Sequence, residues 1–77
     1  MIQKNDVIIL SGKSNHGKNR INQHGDMWIV DLVDSHHLRI HSLNKTFKDG
    51  PGKWSHDIRR IAIKDDPDFK ILNTKEL

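Results

Sequence analysis

The residues best placed to do chemistry are concentrated between Gly12 and Arg20: Gly12-Lys13-Ser14-Asn15-His16-Gly17-Lys18-Asn19-Arg20. They follow directly on the apolar run Val7-Ile8-Ile9-Leu10. Two glycines let backbone N–H groups approach a ligand, and three cations with one histidine would favour an anion. The spacing Gly12 to Gly17-Lys18 fits the G-x-x-x-x-G-K part of a nucleotide phosphate loop, and Trp28-Ile29-Val30-Asp31 superficially resembles its acidic partner strand. The next residue, however, is Asn19, where such a loop needs Ser or Thr to hold magnesium. The loop must also open a helix packed on a parallel sheet, which 77 residues with hairpin-like strands cannot build. What survives is a glycine-hinged basic loop suited to phosphate.

Charge location supports that expectation. The net charge is +3, from 13 Lys and Arg against 10 Asp and Glu. Lys13, Lys18 and Arg20 lie between Gly12 and Gly25 with no acid among them. Removing these three leaves ten cations against ten acids. The entire formal excess therefore sits in one segment, the distribution expected of an anion-binding surface. A second basic group, Lys53, Arg59, Arg60 and Lys64, is diluted by Asp57, Asp65, Asp66 and Asp68, so surface ion pairs compete with any binding role.

Six histidines are many for this length. No spacing among them matches a structural zinc module, so no metal and no cofactor is expected. Near an anion their more natural role is to gain charge around neutral pH. Trp28 lies in an apolar alternation and belongs to the core, whereas Trp54 could either stack on a base or close one end of the core. There is no cysteine nucleophile, and Ser, His and Asp occur in no catalytic arrangement, so an enzyme is not expected.

The elements that must carry these residues are short. With no cysteine and no apolar segment near the roughly 18 residues needed to span a bilayer, the expectation is one small soluble domain in the cytoplasm. The N-terminus turns acidic at Asp6, too soon for a signal peptide. Val7 to Leu10 reads as a strand buried on both faces and ended by Ser11 and Gly12. Residues 12–26 form a long connection in which 18–24 could make a turn or two of helix. Met27 to Val33 and His36 to Leu43, joined at Asp34-Ser35, predict a hairpin burying Trp28, Val30, Leu32, Leu38 and Ile40 and exposing Arg39 and His41. Asp49-Gly50-Pro51-Gly52 is turn chemistry. A short strand follows at Lys53 to His56, then a helical turn at Ile58 to Ile61 capped by Asp57. Asp65-Asp66-Pro67-Asp68 predicts a turn, Phe69 to Leu72 a last strand, and 73–77 a loose tail, which gives a domain over residues 2–73 with 74–77 outside it. Five short strands with long polar loops and at most a short helical turn favour a mainly β, partly open antiparallel barrel.

On Asp6-Val7-Ile8-Ile9, the glycines Gly12 and Gly17 with Lys13 and Lys18, and Trp28-Ile29-Val30, the chain resembles the small SH3-like barrels of the KOW type. The segment Lys53-Trp54-Ser55-His56-Asp57-Ile58 looks like the fourth strand and helical turn of such a barrel. The resemblance implies binding of RNA, DNA or protein within transcription or translation machinery. The His-, Lys-, Asn- and Ile-rich composition is also similar to that of small accessory proteins of bacteriophages.

Together these observations predict a non-enzymatic nucleic-acid-binding barrel. Lys13, His16, Lys18 and Arg20 would contact phosphates, and Gly12 and Gly17 would permit close backbone approach. Arg39, His41, Lys53, Trp54 and Arg59 would extend the surface. Phosphate contacts carry little sequence information, so weak specificity and strong salt dependence are expected. The alternative is a protein-interaction module that docks on host transcription or translation proteins through Trp54 and a sheet edge.

Overall fold

The computed structural model describes residues 2–47, 51–53 and 55–75. Trp54 and the Asp49-Gly50 half of the expected turn lie outside the described residues. The order of elements is β1 (Val7–Gly12), α1 (Asn15–His24), β2 (Met27–Val33), β3 (His37–Phe47), β4 (Ser55–Ala62) and β5 (Phe69–Lys75). The five strands form one antiparallel sheet in the order β4-β3-β2-β1-β5. This is the mainly β, five-stranded barrel-like fold expected, with β4 and β5 left as the two edges of an open sheet.

The core is built from alternate residues of each strand. Ile8 and Leu10, Trp28 and Val30, Leu38 and Ile40, Ile61 and Phe69 form one buried cluster, onto which Ile2, Ile21, Ile63 and Ile71 pack from its margins. Trp28 is wholly buried, and its indole Nε1 donates to the Gly25 carbonyl at 3.1 Å. Burial at this position therefore leaves no polar atom stranded. Gly25 has φ +84°, a left-handed value that an L side chain resists, and its N–H caps α1 on the Ile21 carbonyl.

Leu32 departs from the expected pattern. Val30 pairs with Ile40, but Leu32 pairs with Arg39, so Asp31 is an extra residue in β2. This β-bulge turns Leu32 to the outer face, where it is 54% exposed. Asp34 closes the hairpin by accepting from the N–H groups of His36 and His37. A similar shift between β1 and β5, at Ile9/Leu10, skips Leu72, which is 57% exposed.

Three expectations are corrected. Residues 15–24 form ten residues of α-helix rather than a turn or two. Ile58 to Ile61 is not a helical turn, because β4 runs unbroken through Ala62 and pairs with β3, leaving Ile58 out and Ile61 in. The ends of β1 and β5 also extend beyond their expected limits. Ser11 and Gly12 continue β1 opposite Lys70 and Phe69, and Asn73 to Lys75 continue β5 opposite Ile9 to Val7. Among the described residues, no helix is long and apolar enough to cross a membrane.

Candidate functional site

Helix α1 begins at an N-cap, Ser14, whose Oγ accepts from the Gly17 N–H at 3.0 Å. The same hydroxyl donates to the Asp68 carboxylate at 2.6 Å. Lys13 follows suit: its backbone N–H donates to the Asp68 carbonyl, and its Nζ to the Asp66 carbonyl at 2.8 Å. The acid-free segment is thus seated on the most acidic turn of the chain. Antiparallel pairing of β1 with β5 brings the two together. A carboxylate already occupies the neighbourhood of the helix N-terminus, where a bound phosphate would otherwise be favoured.

The two glycines are committed to this seating. A Cβ on Gly17 would overlap the Asp68 carbonyl oxygen, and one on Gly12 would overlap the backbone of Gly17 and Lys18. The protein's own main chain fills the space that a side chain at either position would take.

Along α1, Gly17, Ile21 and His24 face inward at i, i+4, i+7 spacing, with Gly17 and His24 buried and Ile21 half-buried. His24 stacks edge-on to Trp28 and approaches Asp57, Nε2 to Oδ2, at 3.5 Å. The opposite face exposes Asn15, His16, Lys18, Asn19, Asn22 and Gln23. It carries amides, one lysine and one histidine, with no acid. Arg20 lies at the border, half-buried. One of its terminal nitrogens donates to Gln23 at 3.2 Å, while its Nε is buried without a hydrogen-bond partner among the described residues.

Lys13 also lines a groove of about 450 Å³ with Lys64 and Lys70, where the sheet opens between the ends of β4 and β5. Asp65 and Asp66 share this groove. The Asp66 carboxylate is directed at backbone donors, accepting from the N–H groups of Ala62, Asp68 and Phe69. Lys64 belongs to the second basic group read in the sequence, whereas Lys70 is a residue the sequence reading missed: only the closure of β5 onto β1 brings it beside Lys13.

The other expected site residues fall elsewhere. Arg39 and His41 alternate with buried Leu38 and Ile40, so they lie on the face of β3 away from the core that α1 helps to cover. Arg39 is exposed opposite Arg60. His41 holds its Nδ1 2.7 Å and 2.8 Å from the two Asp31 carboxylate oxygens. The His56 Nδ1 donates to the Ser42 carbonyl, and the two imidazoles sit edge to face with centroids 5.0 Å apart. Because a carboxylate and a carbonyl only accept, each ring directs an Nδ1–H at its oxygen partner. Among the described residues, no group of three or more His, Asp or Glu gathers to hold a metal ion. Arg59 is half-buried, with its Nε folded onto Asp57 at 2.8 Å. Lys53 is exposed.

The expected site residues therefore separate into two surfaces. Lys13, His16 and Lys18 belong to the α1 side, with Arg20 at its border. Arg39 and His41 belong to the outer face of the sheet. No family model matches the chain, and neither a curated protein nor a solved structure matches it.

Proposed function

We propose that the chain is a non-enzymatic nucleic-acid-binding domain of the small SH3-like barrel type, acting through the solvent face of α1 and the lysine groove beside it. The observation that carries this is the composition of the α1 face: six exposed polar side chains, none of them acidic, include Lys18 and His16. Lys13, Lys64 and Lys70 extend the cationic surface from the start of the helix. A backbone phosphate would meet cations here, while the carboxylates of Asp66 and Asp68 are engaged by internal donors. Such contacts supply affinity through counterion release, so binding weakens as salt rises.

The test is a titration with duplex DNA, single-stranded DNA and RNA at two salt concentrations. The expected result is binding whose logarithmic salt slope becomes shallower by roughly one for each phosphate-contacting cation removed, checked with Lys18→Ala and Lys64→Ala. No binding to any of the three, or slopes unchanged by both substitutions, overturns the assignment.

A protein-interaction module is the second reading, and the exposed apolar residues of the edge strands favour it. Ile58 on β4 is 65% exposed, and Leu72 on β5 also faces solvent. A partner strand added to either edge would cover them. Binding would then persist at high salt and be lost on Ile58→Asp.

A further inference from the structure

The exposed face of α1 carries more than charge. Asn15, Asn19 and Asn22 stand at i, i+4 and i+7 and so form one line along the helix, with Lys18 beside them and His16 and Gln23 on the other flank. Each of these side chains is exposed. Asn is a poor residue for a helix interior, where Lys, Glu, Gln or Ala would hold the helix better and keep it equally soluble. The face thus forgoes local stabilisation at several positions in favour of short planar amides and cations.

Amides have a specific use on a helix surface. An Asn or Gln side chain donates and accepts at once, and so pairs with the N6 and N7 positions of adenine in the major groove. A helix of ten residues is about 15 Å long, and the major groove of B-form DNA, roughly 12 Å wide, admits one. The major groove of A-form RNA is too deep and narrow for side chains to read.

We infer that α1 is a reading helix: its Asn15-Asn19-Asn22 line contacts adenine edges in the major groove of duplex DNA, while Lys18 and the Lys13-Lys64-Lys70 groove hold the flanking phosphates. This rests on the nucleic-acid assignment above and narrows it to one nucleic acid and one groove. It also replaces the expected weak specificity with a preference for A·T pairs.

The experiment measures binding of the whole chain to four probes at one fixed salt concentration. They are an alternating poly(dA-dT) duplex, the same duplex with 7-deazaadenine in place of adenine, the corresponding RNA duplex, and single-stranded DNA. The expected result is that the unmodified DNA duplex binds about tenfold or more tightly than the 7-deaza duplex, which lacks the N7 acceptor, and than the RNA. The double variant Asn19→Ala/Asn22→Ala should lose that preference while keeping the salt slope of the parent chain. Alanine is the better helix former, so this variant retains α1. Equal binding to the adenine and 7-deazaadenine duplexes, or tighter binding to RNA or single strands, overturns the reading helix and leaves the nucleic-acid assignment standing. A preference unmoved by the double variant also overturns it. No binding to any probe overturns both.

Discussion

Ser14 and Asp68, 54 residues apart in sequence, share a 2.6 Å hydrogen bond that fastens the first turn of α1 to the turn before β5. Because Ser14 also caps the helix through the Gly17 N–H, one hydroxyl couples helix formation to closure of the chain's last strand. Ser14→Ala should cost about 1 kcal/mol for the cap alone. Ser14→Ala and Asp68→Ala should be non-additive, with a coupling energy of roughly 0.5–3 kcal/mol. Urea denaturation of the four chains of this cycle measures it; strict additivity would show that the bond contributes nothing to joining the two elements.

Gly17→Ala gives an opposite-sign test of the same seating. In an exposed helix interior, alanine for glycine gains about 1 kcal/mol. At residue 17 the new methyl group meets the Asp68 carbonyl, which is backbone and cannot rotate away. The expected outcome is a loss of roughly 1–3 kcal/mol, seen as a lower denaturation midpoint. A stabilised Gly17→Ala chain would mean that α1 is not held against the 65–68 turn.

The hairpin shows both how far the sequence is legible and where it stops. Alternation placed Trp28, Val30, Leu38 and Ile40 in the core, and they are buried there. The same alternation placed Leu32 with them, because a single extra residue in a ladder leaves no mark in the pattern of apolar side chains. Ile58 and Ile61 misled for a related reason: a spacing of three suggests one helix face, but in a strand it puts the residues on opposite sides. Helix α1 was only half visible, since its three asparagines and Gly17 argue against helix while Gly17, Ile21 and His24 carry the inward period. As for the candidate site, local charge was readable, but the acidic turn beneath Lys13 and Ser14 was not. That neighbour arrives through β1–β5 pairing, a contact between distant parts of the chain.

The bulge at Asp31 yields a matched pair of substitutions. Leu38→Ala removes a fully buried side chain and should cost roughly 2–5 kcal/mol. Leu32→Ala, six positions away in the same hairpin, should stay within about 0.5 kcal/mol of the parent. Thermal or urea unfolding distinguishes them. Comparable losses at both positions would place Leu32 in the core and remove the bulge.

Asp34 sets a pH dependence whose sign follows from its contacts. The backbone N–H groups of His36 and His37, with Arg60 and His37 nearby, hold its carboxyl below the ordinary carboxylate value of 3.8. A carboxyl with a lower pKa in the folded state than in the unfolded chain stabilises fully above the unfolded value. That contribution disappears as pH falls through the folded one. Asp34→Asn keeps an acceptor for the two N–H groups but cannot titrate. Its urea midpoint should therefore fall less steeply than the parent's as the pH is taken below about 4. Identical acid limbs in the two chains would show that the hairpin turn does not draw stability from the ionised carboxylate.

The separation of the basic residues into two surfaces makes the last prediction. If the α1 side binds phosphate, Lys18→Ala should weaken nucleic-acid binding and flatten its salt dependence by about one in slope. Arg39→Ala, on the far side of the sheet, should leave both unchanged. The two substitutions remove one positive charge each from exposed positions, so a general effect of net charge would move them together. Arg39 also faces Arg60 across the β3–β4 ladder, and like charges directly opposite repel, so its removal should leave the fold as stable or slightly more so. Affinity measured at two salt concentrations, together with the unfolding midpoint, separates binding from stability for both variants. Loss of binding in Arg39→Ala but not in Lys18→Ala would move the interface to the outer face of β3 and β4, where Arg39, His41 and Arg60 would carry it in place of the helix.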